Sequence, residues 1–150
     1  RVGYRGCFQS IGTGLGVDAL DVGPVAFLKL NRDEIATSWD PPPHGRVKYV
    51  LALSSDAVGP VSVAIAPSSW DSAALLYVSG TGDAHELSEG HTKVIFETCP
   101  GEASQHAGGF LIKEPACVLV VVSDQGSDSD AESHAYLPFG VSTDECDGDS

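Results

Sequence analysis

The sequence predicts an all-β domain, an antiparallel β-sandwich that is immunoglobulin-like in the broad sense, with seven or eight strands and two disulfides. Three observations predict it. Short apolar runs of strand length recur along the chain, and several alternate apolar with polar residues. Breaker clusters (VGP, PPPHG, SGTG, CPGE and KEP) separate them. The four cysteines are even in number and lack metal-type spacing, which reads as a disulfide framework and an oxidising, extracellular or cell-envelope compartment.

Taken in order, the first strand is expected at 24–30 (PVAFLKL), with Val25, Phe27 and Leu28 as inward candidates. The segment 46–53 (RVKYVLAL) places Val47, Tyr49 and Leu51 on one face and Arg46 and Lys48 on the other, so it reads as one continuous strand. In 60–66 (PVSVAIA), Val61, Val63 and Ile65 alternate with small residues. Strands at 73–79, 91–98, 108–113 and 116–123 follow, and 134–139 is a short eighth candidate. Only 32–39 (RDEIATSW) suggests a helical turn, with Asp33 and Glu34 suited to a helix N-terminus. With 150 residues, no linker and no internal repeat, the chain reads as a single domain, 1–150. Its acidic tail, 140–150, is expected to be tethered by Cys146. The chain starts at Arg1 and contains no Met, as expected of a processed or trimmed product.

Net charge is −13, and after Lys113 there is no Lys or Arg. Such a field repels a phosphate backbone or an anionic membrane, so nucleic acid is not an expected partner. No apolar run reaches the length of a transmembrane segment. Cations or a basic surface are the compatible partners, and a solvated acidic surface explains the same charge with no partner at all.

The cysteines fall into two unlike pairs. Cys7 and Cys146 lie near the ends, while Cys99 and Cys117 bracket a strand–turn–strand stretch. Four cysteines allow three pairings; Cys7–Cys146 with Cys99–Cys117 is the favoured expectation.

The segment 91–124 carries Val94, Phe96, Cys99 and Pro100, then Gly108, Gly109 and Phe110, then Pro115, Cys117 and Val122. This V-x-F-x-x-C-P…G-G-F…P-x-C pattern, with an upstream GPVAF at 23–27, resembles a group of poorly characterised secreted or envelope-anchored proteins of high-GC Gram-positive bacteria. The resemblance covers about a third of the chain. It implies an exported β-sandwich with one disulfide between Cys99 and Cys117, and it brings no activity and no catalytic residues.

Candidate chemistry is sparse. SIGTGLG at 10–16 lacks the spacing and the following helix of a dinucleotide site, and reads as a surface loop. The histidines (His44, His85, His91, His106, His134) form no zinc motif. No nucleophile elbow or Ser–His pairing is recognisable, so no catalytic residue and no enzyme is expected; dispersed carboxylates leave a hydrolase only as a residual reading. The acidic stretch Asp124, Asp128, Asp130 and Glu132 offers closely spaced carboxylates of the kind calcium takes, although the EF-hand pattern fails. Calcium is therefore the one cofactor weighed. Trp39, His44 and Trp70 lie in the polar loops 38–46 and 67–72, where an aromatic is a candidate contact for a protein or glycan at the cell surface. The competing reading is that each tryptophan caps an open end of the core. The expected function is thus a non-enzymatic extracellular or cell-envelope binding or assembly module. A calcium-binding domain is the alternative, and self-assembly through an open sheet edge is also compatible with the pattern.

Overall fold

The computed structural model describes residues 2–7, 19–28, 46–48, 51–54, 59–78, 86–98, 104–114, 116–124, 132–139, 141 and 146. These residues form an all-β protein built from three sheets. The strands are β1 (Val2–Arg5), β2 (Ala19–Val22), β3 (Val25–Leu28), β4 (Arg46–Lys48), β5 (Leu51–Leu53) and β6 (Val61–Ile65). They continue with β7 (Ala73–Leu75), β8 (Lys93–Phe96), β9 (Ser104–His106), β10 (Gly109–Ile112), β11 (Ala116–Asp124) and β12 (Glu132–Phe139). A five-stranded sheet runs in the order β1-β8-β6-β11-β12, a four-stranded sheet β2-β3-β5-β9 and a three-stranded sheet β4-β10-β7. All ladders are antiparallel except the edge pair β1–β8, which is parallel.

The expected all-β class is therefore found, with three sheets in place of two and more than the expected seven or eight strands. The additional strands are short and carry little alternation. Ser104–His106 contains no apolar residue, and Val2–Arg5 alternates only over four positions. The segment expected as one strand at 46–53 divides: β4 pairs with β10 in one sheet, and β5 pairs with β3 and β9 in another. Strand β12 begins two residues before the expected 134 and, at eight residues, forms a full edge strand against β11. The helical turn expected at 32–39 lies outside the described residues.

The core lies between the five-stranded sheet and the two smaller ones. Val61, Val63 and Ile65 of β6, Val94 and Phe96 of β8, and Val118, Val120 and Val122 of β11 are all buried. They belong to one cluster with Phe27, Leu51, Leu53, Leu75, Phe110 and Ile112 from the opposing strands. Phe110 joins all three sheets: its ring centroid lies 5.7 Å from Phe27 and 5.3 Å from Phe139. Tyr77 stands edge-on to it at 6.2 Å. Gly108 is required where the chain passes Tyr77, since a Cβ there would lie 2.2 Å from the Tyr77 ring and 2.7 Å from the Leu76 carbonyl oxygen.

The disulfides differ from expectation. Cys117 is bonded to Cys146, with their Cα atoms 5.4 Å apart, and Cys7 is also disulfide-bonded. This excludes both the favoured Cys7–Cys146 pair and the Cys99–Cys117 pair that the family resemblance implied. The reason is the sheet order. Parallel pairing with β8 carries Cys7 past Phe96 toward the end of β8, away from Cys146. Cys117 sits opposite Pro138 on the last hairpin, within reach of the chain that follows β12. The bond to Cys117 fixes position 146 beside the start of β11.

Candidate functional site

The register across the five-stranded sheet defines an outward face. Val2, Lys93, Ala64, Val121 and His134 form one row, and Tyr4, Ile95, Ser62, Ser123 and Glu132 form the next. Partners in register share a face, and the alternate positions (Val94, Val63, Val122) are the buried ones, so these two rows point away from the core. Leu119 and Tyr136, opposite one another, extend the same face. At ordinary strand spacing it is about 19 Å from β1 to β12.

An antiparallel sheet with one solvated side ordinarily alternates apolar inward and polar outward. This one does not. Its outward positions include Val2, Tyr4, Ile95, Ala64, Leu119, Val121 and Tyr136. Tyr4 is 69% exposed and Val2 49% exposed, and the remaining five are half-buried. The uninterrupted run 118–122 carried this signal in the sequence, because a strand apolar on both faces is either enclosed on both or presents one to a partner.

Trp70 stands at a corner of this face. It follows a 3-10 turn, Pro67–Ser69, whose Ser69 hydroxyl accepts the Leu119 backbone N–H at 3.1 Å. The indole N–H donates to Ile65 O at 2.7 Å. Ile65 N–H donates to Thr92 O, so the Ile65 carbonyl also points to the β8 side, and Trp70 lies near the start of β8. With its polar atom satisfied and the residue 48% exposed, Trp70 does not cap the core. Trp39 and His44 lie outside the described residues.

The acidic residues are not gathered at one point. Glu132 is opposite Ser123 and faces outward, where the Ser123 hydroxyl donates to Glu132 Oε2 at 3.4 Å. Asp124 keeps the parity of Val122 and Val120, the inward side of β11. The two ends of the 124–132 stretch thus point to opposite faces of the sheet. Asp128 and Asp130 lie outside the described residues, and no group of three metal-ligating side chains occurs among the described ones.

The second polar feature is interior. Ser104 and His106 share the inward side of β9 with their register partners Leu53 and Leu51, and both are 0% exposed. The Ser104 hydroxyl and His106 Nε2 are 3.4 Å apart, and the imidazole packs on Phe96 at 5.2 Å. His106 Nδ1 has no hydrogen-bond partner among the described residues. Burial lowers the His106 pKa to about 4, aided by the nearby Arg5 guanidinium, so the ring is neutral at ordinary pH. Arg5, on the inward side of β1, donates from Nη1 to the Tyr77 carbonyl. A serine paired with a neutral imidazole has the elements of a nucleophile and base. Here both are enclosed by core side chains. Sequence reasoning missed it because a Ser-x-His triplet carries no signal until its strand is known to face the core.

The chain matches no known protein family, curated protein or solved structure. No helix among the described residues is long and apolar enough to cross a membrane.

Proposed function

We propose that this protein is an exported, non-enzymatic binding or assembly module, a β-sandwich in the broad immunoglobulin-like sense, that acts through the outward face of its five-stranded sheet. The observation that carries this reading is the apolar composition of that face, with Tyr4, Val2 and Trp70 the large hydrophobic residues left exposed among those described. The Cys117–Cys146 bond supports an oxidising location, as does the resemblance to secreted and envelope proteins of high-GC Gram-positive bacteria. The contact surface expected at loops 38–46 and 67–72 moves accordingly: Trp70 remains at its corner, and Tyr4 and Ile95 join it from β1 and β8.

Site-specific photo-crosslinking tests this. A benzophenone side chain replaces Ile95 on the outward face of β8 or, as control, exposed Glu114 just past the end of β10, outside the five-stranded sheet. Irradiation with the surface fraction of the producing cell is expected to give one discrete adduct from position 95 and none from position 114. Equal labelling from both positions, or none from 95, removes the face from consideration.

A further inference from the structure

Resting on the reading of the outward face as a binding surface, we propose that its occupant is a basic amphipathic segment of another polypeptide. The floor of the face carries an apolar diagonal: Tyr4, Ile95, Ala64 and Val121 lie in adjacent positions of two neighbouring rows. Such a floor selects apolar side chains spaced on one side of a strand or helix.

Charge decides among the partners that bring apolar side chains. Glu97 continues the outward parity of Lys93 and Ile95, is exposed, and donates its backbone N–H to Arg5 O at the end of β8. Glu132 holds the equivalent end of β12, also exposed. Nothing after Lys113 is Lys or Arg. That end of the face therefore carries two carboxylates, and Lys93 and His134 lie in the row of Ala64 and Val121.

A second copy of the chain brings another net charge of −13 to the same contact and is repelled, as are nucleic acid and acidic glycans. A neutral glycan requires polar side chains directed at it. The two serines of the face offer little of this, since Ser62 is only 4% exposed and the Ser123 hydroxyl is committed to Glu132, and its other polar groups are chiefly the ionisable Lys93, His134, Glu97 and Glu132. A segment with leucine-like side chains on one side and Lys or Arg at its flank satisfies both the floor and the acidic end. The open ring face of Tyr4 adds a cation–π contact.

The test is NMR shift mapping of the intact, oxidised protein at physiological ionic strength with three probes. These are a short peptide alternating lysine with leucine, its glutamate–leucine counterpart, and a neutral cello-oligosaccharide. The lysine peptide is expected to move amides of β1, β8, β6 and β11 and to bind about tenfold tighter than the glutamate peptide. Glu97→Gln with Glu132→Gln is expected to weaken binding about fivefold. Tyr4→Ser, at an exposed position that leaves the melting temperature in place, is expected to weaken it further. Equal binding of both peptides, or preference for the oligosaccharide on the same amides, overturns the basic partner and leaves the surface reading standing. Shifts scattered over acids elsewhere, or no shifts on the face, overturn the inference. The crosslinking at position 95 then judges the surface reading separately.

Discussion

Acidification discharges a specific part of this fold's stability through His106. The ring is fully enclosed against Phe96 and lies near the Arg5 guanidinium, and its pKa falls from 6.5 to about 4. Folding therefore selects the neutral imidazole. Above pH 6.5 both states hold it neutral and its contribution is intact. Between pH 6.5 and about 4 the unfolded chain takes up a proton that the folded chain refuses. Each pH unit in that window then costs about 1.4 kcal/mol, so the interval removes about 3 kcal/mol, a large share of a small domain's stability. Carboxylates titrate in the lower part of the same window, so the measurement is a comparison of slopes. Urea unfolding of wild type and His106→Gln is followed from pH 7.5 to pH 4, and the wild type is expected to lose about 3 kcal/mol more than the variant. Parallel losses refute the argument. Should the variant fail to fold, the ring proton shifts of His106 in the wild type serve instead: a midpoint near 6.5 is the refuting result.

Four further outcomes follow from the packing and the sheet register. Cys117→Ser with Cys146→Ser opens a link across a sequence separation of 29 and is expected to cost about 3–4 kcal/mol in the chain-entropy account, read by chemical denaturation. Peptide mapping without reduction is expected to recover Cys117 joined to Cys146, with Cys7 joined to neither. Phe110→Ala removes the ring common to all three sheets and is expected to cost about 3–5 kcal/mol. A change below about 1 kcal/mol contradicts its central place. With Asp124 and Glu132 on opposite faces of the sheet, millimolar calcium is expected to raise the melting temperature of metal-stripped protein no further than monovalent salt of equal ionic strength. A calcium-specific rise of several degrees restores the 124–132 stretch as a site.

The parts of the fold that were legible in the sequence are those with strong local periodicity. Val61–Val63–Ile65 and the run after Cys117 carry enough β-branched residues to be strands in any context, and they are β6 and β11, neighbours in the interior of the five-stranded sheet. What escaped were strands of three or four residues, such as Ser104–His106. Three residues span too little of either period to be distinguished from a loop. The candidate surface escaped for a related reason: the apolar run in β11 was visible, but its orientation was not, since a period of two shows which residues share a face and not which face looks outward.

The sequence by itself determined the all-β class, the breaker positions, the strong acidity and the presence of disulfides. Each of these depends on residue types and their neighbours along the chain. Tertiary structure alone decided the pairing of Cys117 with Cys146, the division of 46–53 between two sheets, the enclosure of Ser104 and His106, and the assembly of Tyr4, Ile95, Ala64 and Val121 into one surface. All four are contacts between residues far apart in sequence. They are set by which strand lies beside which and in what register, a choice made by the whole core at once and carried by no single segment.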